Sequence, residues 1–219
     1  MLISFNSVSL RKSHTREHMP HGWVTGDDEL GRHTRFRGEL RDRGERYVLG
    51  VPCTTTMRDL EAPLPAYQGR GRRPKSPWQS VTQWRQGLEA EAWTYLTVRD
   101  GEKGPVEIEM VKRRGQTRIE RKRTGPEEWL VVTRRPLADD RTLEPKASPD
   151  ATDQDARYRH QYYLTPTCMS EVELKTPSLA ELARVIKAGA CIEASFKRGK
   201  GEVGMDEYQV RTVRRESTV

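Results

Sequence analysis

Nothing in this chain approaches the roughly 18 consecutive apolar residues that a membrane-spanning helix needs. Its first 20 residues, MLISFNSVSLRKSHTREHMP, hold no apolar run of the length a secretory signal uses. Cysteine is scarce: Cys53, Cys168 and Cys191 are odd in number, far apart and never spaced CxxC, and the five histidines supply no matching pattern. That argues against a disulfide framework and against a Cys/His zinc site, and a reduced, cytoplasmic setting is expected. Apolar residues are thin as well, 34% against 32% charged in 219 residues, which is enough for one modest core with much exposed loop.

What the chain has in excess is positive charge. Lys and Arg number 39 against 32 Asp and Glu, a net +7, and the isoelectric point is near 9.4. Composition divides evenly between a polyanionic partner, nucleic acid being the commonest, and simple solubility. The tract KRRGQTRIERKR (112–123) concentrates seven Lys and Arg in twelve residues. It can line DNA by displacing counterions or form the outer face of a hairpin.

Periodicity divides the chain. Residues 1–20 are polar, basic and aperiodic, and are expected as a poorly ordered arm. A short strand is predicted over 22–27, ending at Asp27, then a helix over about 33–43 with Phe36 and Leu40 one turn apart and Gly44 as its cap. RYVLGVP (46–52) has the continuous apolar run of a buried strand, which completes a parallel βαβ crossover in an α/β sheet. EAPLPAYQGRGRRPKSP (61–77) is a basic excursion rich in Pro and Gly. Beyond it, alternating runs at 93–100, 105–114, 128–135 and 157–165 predict an antiparallel, β-rich unit, with a polar loop over 136–156. Ser178 and Glu181 form a capping-box pair at the start of a strong helix, whose apolar stripe is Leu179, Leu182, Ile186 and Ala190.

Two acidic positions stand out. In HGWVTGDDELG (21–31) a short apolar run delivers Asp27, Asp28 and Glu29 and then Gly31, which suits either an acidic turn or the rim of a metal site. On the last helix, Glu193 and Lys200 are seven residues apart, two turns along one face. From helix geometry alone, a solvated Glu and a solvated Lys are the simpler account.

The segment CIEASFKRGKGEVGMDEYQVR (191–211) resembles the C-terminal catalytic signature of bacterial insertion-sequence transposases of the DDE superfamily, through Ile192-Glu193, Phe196, Lys200, Gly204 and Tyr208-Gln209-Val210-Arg211. GWVTGDDELGRHTRFRGELRDRGERYVLGVP resembles the second-aspartate segment of the same family, and GRGRRPK and VRDGEKGP resemble the insertion region of one of its branches. The likeness runs over roughly residues 20–211. It implies a partial ribonuclease-H-like α/β sheet interrupted by a β-rich insertion. Residues 1–20 would be the arm, 21–60 the first part of the core, 61–170 the insertion, 171–211 the catalytic-helix part and 212–219 a tail.

The resemblance further implies that Asp27 and Glu193 converge on Mg²⁺ or Mn²⁺. Two such ions activate an attacking hydroxyl and stabilise the leaving oxygen of a phosphodiester. Asp28 is the alternative ligand, but strand alternation puts it on the opposite face from Asp27. Lys200, Tyr208 and Arg211 occupy positions that lie near the DNA backbone in that family; Lys200 as a solvated charge and Tyr208 as a core residue are the plain alternatives.

A DDE site takes three carboxylates, and residues 1–26 contain no aspartate and a single glutamate, Glu17, outside any predicted strand. The expectation is therefore a transposase fragment, truncated at both ends and inactive. The alternative is a non-catalytic, DNA-binding or regulatory remnant. Its expected partners are DNA and a full-length transposase or a second copy of itself.

Overall fold

The computed structural model describes residues 2–5, 22–64, 66–101, 104–119, 123–136, 158–167 and 176–203. Their strands form one mixed sheet. In chain order these are β1 (Leu2–Phe5), β2 (Trp23–Gly26), β3 (Tyr47–Val51), β4 (Thr56–Asp59), β5 (Gln79–Ser80), β6 (Thr94–Gly101), β7 (Gly104–Arg118), β8 (Thr124–Pro136) and β9 (Tyr158–Pro166). The spatial order is β1-β2-β3-β9-β8-β7-β4-β5, with β6 also on β7. Only β1, β2 and β3 run parallel, and every other pairing is antiparallel.

The predicted crossover is present. β2 leads through α1 (Asp28–Arg32) and α2 (Thr34–Asp42) into β3, its parallel neighbour, in the register Val24↔Tyr47 and Gly26↔Leu49. α2 ends as the sequence predicts. Gly44 takes φ 67°, its N–H donates to Arg41 O, and the Glu45 N–H donates to Leu40 O. That pair of bonds closes the last turn in a Schellman motif, which only a residue tolerant of positive φ allows cheaply. Phe36 and Leu40 pack on Val24, Tyr47 and Leu49, one face of the crossover.

The opposite face is covered by α4 (Leu179–Val203). Ser178 Oγ accepts from the Glu181 N–H, which is one half of the predicted capping box. The other half is replaced: the Glu181 carboxylate pairs with Arg46 instead. Leu182, Ala183, Val185 and Ile186 bury against Trp23, Val48, Ile108, Met110 and Val131. A third cluster joins Val51, Met57, Val81, Trp84, Leu130 and Leu164, under α3 (Val81–Gln86).

Two features differ from expectation. Residues 2–5, assigned by composition to the arm, form β1 and extend the parallel edge in the register Ile3↔Val24. Four residues are too few for a period to show, but LISF is apolar and pairing satisfies its backbone groups. The strands β6 to β9, expected as an insertion over 61–170, hydrogen-bond into the same sheet as the crossover, because β9 pairs directly with β3 (Leu49↔Leu164).

A charged network locks these parts together. Glu128 on β8 is buried, and its Oε1 accepts from Arg37 Nε at 3.0 Å and from the Tyr47 hydroxyl at 2.7 Å. Its Oε2 accepts from Thr117 Oγ1 at 3.1 Å, and Arg37 also donates to Gly31 O and to Thr117. Burial first, then the Glu128 charge and hydrogen bond, hold the Tyr47 phenol far above the usual tyrosine range. The sign follows by linkage. An unfolded tyrosine loses its proton near pH 10, while folded Tyr47 keeps it, so its contribution to stability is full below pH 10 and falls as pH rises beyond. Tyr47→Phe is expected to flatten that alkaline decline, measured as the urea midpoint against pH.

Candidate active site at the carboxyl ends of the parallel strands

In open α/β sheets, ligands bind beyond the carboxyl ends of the parallel strands. Here β2 and β3 end beside a cleft of about 310 Å³, lined by Asp27, Asp28, Gly50, Cys53, His160 and Tyr162 among others. Asp27 is the residue directly after β2. It is also the N-cap of α1, and its Oδ1 accepts from the Leu30 N–H at 3.1 Å. The cap uses one carboxylate oxygen. Asp28 is the first residue of α1 and reaches Arg32 at 3.8 Å, both side chains more than half exposed. The acidic cluster thus starts a helix, and its charge favours that helix N-terminus.

Two glycines let the backbones close around the cleft. A Cβ at Gly50 would stand 3.1 Å from Asp27 C and from Asp28 N, and one at Gly31 would stand 1.7 Å from Gly50 O. The chain bearing both aspartates therefore lies directly on β3. Of the two, Gly50 is signalled in VLGVP, where a glycine inside an apolar strand marks close backbone approach.

The last helix reaches the same end of the sheet. Its first turn meets the start of the crossover through Glu181 and Arg46, whose guanidinium lies over Trp23. Further along, Gly189 packs on Thr25, with a Cβ there falling 3.3 Å from Thr25 Oγ1. The α4 axis therefore advances in the direction of β2. Thr25 lies two residues before Asp27, and Glu193 is one turn beyond Gly189 on the same helical line. Lys200 lies two turns further on α4. Tyr208 and Arg211 lie outside the described residues.

Divalent magnesium asks for several hard oxygen ligands at near-octahedral geometry. The carboxylates lining the described cleft are Asp27 and Asp28. Among the described residues, no group of three His, Cys, Asp or Glu side chains is placed to hold an ion. The donor type suits the metal, which keeps several waters and takes one or two carboxylates together with substrate phosphates.

Residues 8–105 match the family model of the DDE superfamily endonucleases. That span runs from before β2 through β6, so it contains Asp27 and the crossover and stops short of Glu193. It is a likeness to DDE-superfamily, transposase-like domains over less than half of the chain. No curated protein matches the chain. No helix among the described residues is long and apolar enough to cross a membrane.

Proposed function

We propose that this chain derives from an insertion-sequence DDE transposase and that, as a single polypeptide, it holds DNA without cutting it. The observation that carries the reading is the seat of Gly189 on Thr25, which brings the helix of Glu193 toward the strand end occupied by Asp27. Asp27 and Glu193 then correspond to the second aspartate and the glutamate of the triad. In that lineage the positions of Lys200, Tyr208 and Arg211 serve contacts with the DNA backbone. Among the described residues, the strand beside β2 at the sheet edge, β1, reads Leu2-Ile3-Ser4-Phe5 and brings no further carboxylate.

Mg²⁺ or Mn²⁺ is the cofactor this lineage implies, and Asp27 and Glu193 would hold it one carboxylate short of the triad, with water and DNA phosphate oxygens as the other ligands. The capping bond of Asp27 supports the non-catalytic side of the reading, since it gives the residue a structural role that needs no metal. A subunit that binds DNA and assembles with an active transposase, poisoning it, is the biological form this would take.

The purified chain, incubated with Mg²⁺ or Mn²⁺ and transposon-end DNA, is expected to leave the DNA intact while binding it at low salt. Cleavage or strand joining that Glu193→Gln abolishes would overturn the inactive assignment. Absence of any DNA binding at low salt would overturn the reading as a whole.

A further inference from the structure

On the far side of α1 from the acidic cleft lies a second and larger concavity, about 490 Å³. Its wall includes Arg32, Thr34, Thr54, Thr55, Thr56 and Arg118. Pro52 borders both cavities, so the turn after β3 is the partition between them. None of the described lining residues is acidic. Arg37 is also in the wall, but its charge is already matched by buried Glu128.

The two remaining cations are available to a ligand. Arg32 is more than half exposed and holds Asp28 at 3.8 Å, a contact worth little in solvent. The exposed Arg118 lies over the Trp78 ring at 4.9 Å, and Arg58 lies on the same ring at 4.3 Å, so the guanidinium is oriented by stacking while keeping its hydrogen-bond donors. Four threonine hydroxyls complete a wall of donors around two positive charges. That is the chemistry of a phosphate group.

We propose that this pocket seats a backbone phosphate of the DNA strand whose neighbouring nucleotides enter the Asp27 cleft. The inference rests on the DNA-handling reading above and deepens it by fixing where the strand runs. α1 sets the spacing. From Asp28 to Arg32 it advances about 6 Å at 1.5 Å per residue, comparable to the separation of neighbouring phosphates along one strand. One strand can therefore engage both cavities across this short helix.

The test is fluorescence anisotropy of a labelled random-sequence duplex, titrated with salt. Each phosphate contact contributes about 0.9 to the slope of log K against log salt. Arg32→Gln/Arg118→Gln, which strips both cations from that one phosphate, is expected to reduce the slope by about 0.9 and the affinity by roughly ten- to hundredfold. Thr54→Glu, at an exposed position, is expected to weaken binding comparably by placing a carboxylate at the rim, and it carries the test should the double variant not fold. Arg35→Gln removes a cation whose side chain is 93% exposed and outside the pocket, and is expected to bind as the parent does.

Normal DNA binding by both pocket variants would overturn this inference and leave the DNA-handling reading standing. Absence of binding by the parent chain would overturn both. A pocket for free phosphate would show differently: inorganic phosphate would raise the melting temperature of the parent but not of Thr54→Glu, with equal DNA affinity in all variants. That result also overturns the assignment.

Discussion

Glu128→Ala is expected to cost about 3–5 kcal/mol of folding stability, the range for stripping one partner from a buried ion pair. The reason is what remains. Arg37 would stay buried with its charge uncompensated, and the Tyr47 and Thr117 hydroxyls would lose their shared carboxylate. The measurement is a urea titration, in which the midpoint should fall with the slope unchanged if only stability alters. Replacing both ends by apolar side chains, Arg37→Met with Glu128→Leu, should restore most of the loss, because no charge is then stranded. A shift below about 1 kcal/mol for Glu128→Ala would mean that solvent reaches this network.

Gly31→Ala is the second large effect. The new Cβ would stand 1.7 Å from Gly50 O and 2.8 Å from Gly50 C, and both are backbone atoms of a buried strand. No rotamer relieves that contact, so α1 must lift off β3. Overpacking of this kind is expected to cost about 3 kcal/mol or more. It should also loosen the cleft, since Asp27, Asp28 and Arg32 all ride on α1. Gly38→Ala is the internal control. It lies inside α2, where the nearest atom to a new Cβ is the end of the Arg41 side chain at 3.8 Å. Helix propensity alone then favours alanine, by roughly 0.5–1 kcal/mol. Thermal melting of the two variants should move in opposite directions.

The parts of the fold that were legible in the sequence share a local cause. β3 announces itself by an apolar run, α2 by Phe36 and Leu40 with Gly44 behind them, and α4 by the Ser178 cap and a stripe that does bury. β6 to β9 are visible because alternation persists over eight or more residues. The short elements escaped. β4 and α3 flank the Pro- and Gly-rich excursion, and α3 is held by a capping box of Ser80 and Gln83 that composition hides.

Of the candidate site, Asp27 was legible as a strand end, while an approach of α4 was implied by the family resemblance and not by spacing or periodicity. That path depends on Gly189 meeting Thr25, a contact between positions 164 residues apart. The Arg37–Glu128 pair spans 91 residues, and in one dimension both look like ordinary surface charges. Long-range electrostatics leaves no periodic trace. The threonine-rich wall beside Arg118 is of the same kind, since Thr54–Thr56 and Arg118 meet only because β4 pairs with β7.

The position of β3 has a consequence for synthesis. All five of its residues are buried, and one of its flanks is closed by β9, with Leu49 opposite Leu164. A nascent chain leaves the ribosome at roughly 5–20 residues per second. Leu49 must therefore wait for a partner 115 positions later, roughly 6–23 s, with a sticky strand margin open to other chains. Slow codons or stalling between these points would lengthen that interval, and insoluble half-made product is the outcome that the topology itself invites.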